Sequence, residues 1–139
     1  MRETVNILGV KFDNTSRAGA ESTIKERLRE GKYLSVFTPN PTMLVRAYGS
    51  DKLTYLLNSA ELSVADGIGI ILAARLLGTP LPERIAGIEL GESILSMANE
   101  MKLRVFLLGG KVEVAQKAAE NIRRKYPELT VCGTHHGYF

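Results

Sequence analysis

Aspartate is scarce in this chain. It occurs only at Asp13, Asp51 and Asp66, and no two stand as an aspartate–any–aspartate pair. Cysteine occurs once, at Cys132, which excludes an internal disulfide and fits a reducing compartment. The two histidines are adjacent, His135 and His136, and lack the further ligands that a zinc site needs. No glycine–lysine–serine/threonine string of the Walker type is present, since Lys111 is followed by Val112. A dinucleotide fingerprint fails too, because Leu72 stands where the third glycine after Gly67 and Gly69 belongs. The most apolar segment, Ile68 to Leu77, is interrupted by Arg75 and is too short to cross a bilayer. Met1-Arg2-Glu3-Thr4 runs straight into a strand-like stretch without a basic-then-apolar leader, so a cytoplasmic or at most membrane-peripheral protein is expected. A net charge of +3 is too mild to argue for nucleic acid. No repeat or low-complexity segment interrupts the chain.

What remains is an ordinary globular composition, 45% hydrophobic and 24% charged over 139 residues, enough for one domain with a real core. Val5, Ile7 and Val10 predict a first strand, and Lys11 to Asn14 a turn or short second strand. Ser16 is placed to cap a helix through about Glu30, ended by Gly31. Tyr33 to Phe37 reads as a strand that stops at Thr38-Pro39-Asn40-Pro41, where two prolines enforce an extended loop. Pro41 then opens a helix to Tyr48, and Asp51 is the expected cap of the next. Leu62 to Ala65 is a short strand, followed by helical spacing from Ile68 to Gly78. Ile85-Ala86-Gly87 leads into a helix from about Glu89 to Met101. Arg104 to Leu108 is a strand, Val112 to Tyr126 a helix, and Leu129 to Thr134 a last strand in which Cys132 is expected to be buried. Arg123-Arg124-Lys125 suits the negative end of a helix dipole. This alternation predicts an α/β fold: a Rossmann-like parallel sheet flanked by helices, with a short N-terminal β-hairpin or strand pair. Leu76, Leu77 and Leu81 are expected at the surface, leaving room for a homo-oligomer.

Chemistry is sought where strands give way to helices, because ligands of open α/β sheets collect there. Asp66 lies at such a junction, and its simplest role is to cap the helix that follows. Gly67 and Gly69 cost helix stability, which implies that something approaches the backbone closely. A base role for Asp66 requires partial burial. Thr38 and Asn40 leave the neighbouring strand on the proline-stiffened loop, with ordinary turn chemistry as the competing explanation. Arg84 offers a guanidinium suited to a diphosphate, or is simply a solvated surface charge. Gly109-Gly110 is either a tight turn or a place where amides and a helix N-terminus meet a phosphate. Gly137-Tyr138 follows the final strand, where Tyr138 could stack on a base.

In order and spacing, Ile7-Leu8-Gly9-Val10, Thr38-Pro39-Asn40-Pro41, Ala65-Asp66-Gly67-Ile68-Gly69, Leu77-Gly78 with Arg84-Ile85-Ala86-Gly87, Val105 to Gly110, and Gly137-Tyr138-Phe139 resemble the bacterial WecG/TagA/CpsF glycosyltransferase family. The resemblance implies an inverting transfer that needs no metal or cofactor. N-acetylmannosamine would pass from UDP to the 4-hydroxyl of N-acetylglucosamine on undecaprenyl diphosphate, in the linkage unit of wall teichoic acid. It implies Asp66 as general base, Thr38 and Asn40 lining the pocket, and Arg84 on the leaving UDP. Gly67, Gly109, Gly110, Gly137 and Tyr138 are expected to bind substrate. The alternatives are a related transferase using a mannosaminuronic acid or glucose-type donor, and a non-catalytic nucleotide-binding module. Family members continue past Gly-Tyr-Phe to a proline–lysine–glutamine–glutamate motif and a basic tail that contacts the membrane. Residues 1–139 are therefore expected to be a single catalytic domain, truncated at its C-terminus and peripheral to the inner face of the cell membrane.

Overall fold

A computed structural model describes residues 3–139. The chain divides into two compact units, residues 1–91 and 92–139, each described here by itself.

The first unit opens on a hairpin of β1 (Thr4–Ile7) and β2 (Val10–Asp13), paired antiparallel. Val10 starts the second strand, not the end of the first as the sequence pattern implies, because Leu8 and Gly9 take the positive φ values of a two-residue turn. Alternation puts Val5, Ile7, Val10 and Phe12 on one face, all buried. Asn58 holds the turn from outside, accepting from Lys11 N–H at 2.8 Å and donating to the Gly9 carbonyl at 2.8 Å. Helix α1 (Arg17–Glu30) begins where Ser16 accepts from the Gly19 N–H and ends at Gly31 in the left-handed conformation.

Strands β3 (Val36–Phe37) and β4 (Leu62–Ser63) pair in parallel and are shorter than their apolar runs. Between them lie α2 (Pro41–Tyr48) and α3 (Asp51–Asn58). Ser50, not Asp51, caps α3 by accepting from Leu53 N–H; Asp51 occupies the first turn, where its charge still favours the helix. Helix α4 (Ile68–Leu76) follows, and α5 (Gly87–Glu100) begins in this unit. The hairpin face, Leu44, Leu57, Ala65, Ile70, Ile71 and Ala74 form one core. Leu81 joins it at 4% exposure, which overturns its expected place at the surface. Leu76 and Leu77 are exposed.

In the second unit β5 (Arg104–Leu108) and β6 (Thr130–His135) pair in parallel around α6 (Val112–Lys125). Arg123, Arg124 and Lys125 occupy the last turn of α6, as the dipole argument requires. Ala98, Ala119, Leu129 and Val131 form its core. Only one face of this strand pair is covered, so Cys132 is exposed, not buried, with its thiol donating to the Val105 carbonyl at 3.3 Å. Among the described residues hydrogen bonding therefore gives three two-stranded sheets, two of them parallel, in a mixed α/β chain.

Candidate functional site

Strand β4 delivers Asp66 to its place through a ladder that outlasts the strand itself. Leu62 N–H donates to Ser35 O at 3.1 Å, Val64 N–H to Phe37 O at 2.9 Å, and Asp66 N–H to Pro39 O at 3.2 Å. Glu61 closes the near end. Its carboxylate accepts from the Ser35 amide at 2.7 Å and from the Ser35 hydroxyl, and these bonds hold it below the usual carboxylate range. On the opposite edge of β4 the buried Asp13 carboxylate accepts from Ser63 N–H at 2.7 Å. Ile85 N–H donates to Ala65 O at 2.9 Å. The backbone three residues before Asp66 is thus fixed from both sides.

The Asp66 carboxylate is half-buried and does not cap the helix that follows it. Gly67 is the N-cap of α4, with no side-chain capping bond. Asp66 Oδ2 instead accepts from the Gly87 N–H at 3.0 Å, the first residue of α5. Thr38 meets it there. A Cβ built on Gly87 would lie 2.7 Å from Thr38 Oγ1 and 3.3 Å from Asp66 Oδ2, so hydroxyl and carboxylate converge on one bare backbone position. Glycine at 87 is what lets these two polar side chains come together. Only its place between an apolar pair and a helical pattern hinted at this in the sequence.

Asn40 is the N-cap of α2, and its Oδ1 accepts from Met43 N–H at 2.9 Å. That bond leaves the amide nitrogen of an exposed side chain for other partners. The close approach that Gly67 and Gly69 permit is that of the Pro41 ring. A Cβ on Gly67, whose φ is +135°, would lie 2.7 Å from Pro41 Cδ, and one on Gly69 3.2 Å from Pro41 Cγ. Arg84 is exposed, between Ile85, bonded to Ala65, and Glu83, whose carboxylate accepts from Arg17 N–H at 2.8 Å.

The remaining candidates belong to the second unit. Gly109 and Gly110 turn out of β5 with φ of +128° and +70°. Gly109 N–H donates to His135 O at 2.9 Å, and Gly137 N–H donates to Gly110 O at 2.9 Å. A Cβ on Gly137 would sit 3.2 Å from Gly109 Cα, so these three glycines allow backbone to pack directly on backbone. Helix α6 opens at Lys111 without a side-chain cap. Beside this turn lies an open groove of about 470 Å³ lined by Phe106, Leu108, Gly109, Gly110, Val114 and Ala118. Tyr138 is exposed near it in sequence, after His135 and His136, whose rings stack at 4.5 Å.

The family model described as "Glycosyl transferase WecG/TagA/CpsF family" matches residues 5–139. The chain is 37% identical over 136 residues to the N-acetylglucosaminyldiphosphoundecaprenol N-acetyl-beta-D-mannosaminyltransferases of Staphylococcus aureus strains NCTC 8325 / PS 47, COL and MRSA252. The match covers 96% of this chain and 53% of each relative, so the chain spans about half their length. With Asp66, Thr38 and Gly87 inside the matched stretch, this chain belongs to the WecG/TagA/CpsF family of glycosyltransferases.

Proposed function

We propose that the protein transfers N-acetylmannosamine from UDP to the 4-hydroxyl of N-acetylglucosamine carried on undecaprenyl diphosphate, with inversion and without a metal, in the linkage unit of wall teichoic acid. The observation that carries this reading is the half-buried Asp66 carboxylate, fixed by the Gly87 amide beside the Thr38 hydroxyl. One carboxylate oxygen is anchored and the other is left to accept a proton. In the reaction Asp66 takes the proton of the acceptor 4-hydroxyl as its oxygen attacks the donor anomeric carbon. The bond from that carbon to the UDP oxygen breaks on the opposite side, which inverts the anomeric centre. Thr38 and the amide of Asn40 orient the sugars by hydrogen bonding.

The departing diphosphate gathers negative charge, whose stabilisation in this reading falls to the chain's cationic and N–H donors. Arg84 stabilises the leaving group; in the second unit, taken by itself, the uncapped N-terminus of α6 and the Gly109-Gly110 amides are donors suited to a phosphate. Gly137 and Tyr138 lie against the nucleotide in this reading, and Gly67 carries the turn that presents Asp66. In this reading the fold is Rossmann-like, in keeping with the parallel pairing within each unit, β3–β4 in the first and β5–β6 in the second. Among the described residues no helix is long and apolar enough to cross a membrane. We place the protein at the membrane surface, where its lipid acceptor resides. The test is a transfer assay on the intact protein with UDP-N-acetylmannosamine and a lipid-linked N-acetylglucosamine acceptor, with and without chelator. A disaccharide product formed equally in chelator is expected. Transfer abolished by chelator overturns the metal-free mechanism, and product formed only from a uronic-acid or glucose donor overturns the donor assignment.

A further inference from the structure

Helix α4 is apolar on both sides, which is uncommon for a helix at a protein surface. Ile70, Ile71 and Ala74 face the core of the first unit. Ile68, Leu72 and Leu76, spaced by four, form a second stripe that nothing in the described chain covers, with exposures from 50% at Leu72 to 89% at Leu76. Leu77 extends it, and Arg75 is the only charged side chain on the helix. Arg75 stands seven residues after Ile68, two turns on, and so lies on the same face as the stripe.

This face is continuous with the candidate site. Ile68 follows Gly67 directly after Asp66, and the exposed Ile88 directly follows Gly87, whose amide holds Asp66. Pro41, packed against Gly67 and Gly69, also lines an open groove of about 430 Å³ with Thr42, Val45 and Arg46. Exposed apolar side chains and two exposed arginines, Arg46 and Arg75, thus stand on the segments that lead away from Asp66, Gly87 and Pro41.

We propose that the outer face of α4, with Ile88 and the adjoining Pro41–Val45 groove, receives the polyprenyl chain of the acceptor while Arg75 pairs with its diphosphate. The inference rests on the transferase reading above and deepens it. An acceptor whose sugar hydroxyl meets Asp66 presents a diphosphate one sugar ring away, and beyond that a long hydrocarbon. Arg75 lies seven residues beyond Ile68, roughly 10 Å further along α4, so the helix carries a cation beyond the carboxylate and before its apolar end. Leu72, Leu76 and Leu77 surround and follow that cation, matching a ligand that is anionic first and apolar after.

The experiment compares kcat/KM for two acceptors, N-acetylglucosamine on undecaprenyl diphosphate and the same sugar diphosphate on a single prenyl unit, in the intact protein. Wild type is expected to favour the long chain. The Leu72→Glu and Leu76→Glu pair is expected to lower that ratio about 10- to 100-fold, as removal of two apolar contacts implies. Arg75→Ala is expected to raise KM for both acceptors and leave the ratio standing. Leu76→Gln alone, at the most exposed position of the stripe, guards against misfolding of the pair, and melting curves check all variants. A chain-length preference that survives in folded variants overturns the inference. So does a preference that survives while the variants turn a dimer into a monomer by light scattering, which would make the face a contact between copies. Transfer by wild type to neither acceptor overturns the transferase reading itself, and this inference with it.

Discussion

Replacing Gly87 by alanine should damage the site more than the fold. The added methyl would stand 2.7 Å from Thr38 Oγ1, 3.2 Å from Thr38 Cβ and 3.3 Å from Asp66 Oδ2. Thr38 must rotate or α5 must retreat, and overpacking of this kind costs about 1–3 kcal/mol. A retreat of α5 also stretches the 3.0 Å bond from Gly87 N–H to Asp66, a charge-assisted bond whose loss costs about 1.5–3 kcal/mol. Gly91 supplies the control on the same helix, because a Cβ there meets nothing within 4 Å. Gly91→Ala should stabilise by about 0.5–1 kcal/mol through the helix preference alone. The two alanines are therefore predicted to shift stability in opposite directions, at least about 1.5 kcal/mol apart. Urea unfolding of both variants measures that gap, and the transfer assay is expected to show loss of kcat for Gly87→Ala only. Equal stability of the two variants, with kcat intact in both, would refute the convergence of Thr38 and Asp66 on this backbone.

Three other expectations follow from the same geometry. Asp13→Ala leaves the buried Ser63 N–H without its acceptor, an orphaned donor that costs about 1–3 kcal/mol in denaturant unfolding; an unchanged midpoint counts against Asp13 as the support of β4. Glu61 ionises more readily in the folded chain because of Ser35. Its contribution is present above the ordinary carboxylate range and is lost as pH falls through the lowered folded-state value, so the stability gap between wild type and Glu61→Gln should narrow in acid; a gap independent of pH contradicts this. Arg84→Ala should slow transfer about 100-fold, by analogy with removal of one stabilising donor, and an unchanged rate removes it from the leaving group.

Much of this was legible in the sequence because local signals agreed with tertiary packing. The Ser16 and Gly31 helix boundaries and the basic end of α6 appear as their chemistry demands, whereas the turn at Leu8-Gly9 that moves Val10 into β2 had no such signal. The misreadings share a cause. Periodicity reveals that a face is apolar but not whether anything covers it, so Cys132 was expected inside and Leu81 outside, the reverse of what is found. Glycine likewise announces a close approach without naming the visitor. At Gly67 and Gly69 it is Pro41, and at Gly137 it is the Gly109-Gly110 backbone. For Asp66 the competing explanation, a cap on its own helix, rests on sequence neighbours and is not what forms. Its actual donor lies 21 residues away, at Gly87. The support from Asp13 spans 50 residues and left no local trace.

Whether Asp66 accepts the acceptor's proton is decided by single-turnover transfer with Asp66→Asn, alongside UDP binding by calorimetry. Asparagine can still accept from Gly87 N–H but is no base, so the rate is predicted to fall about 10²- to 10⁴-fold while UDP affinity stays nearly intact. Transfer at the wild-type rate by a folded Asp66→Asn protein would contradict that role.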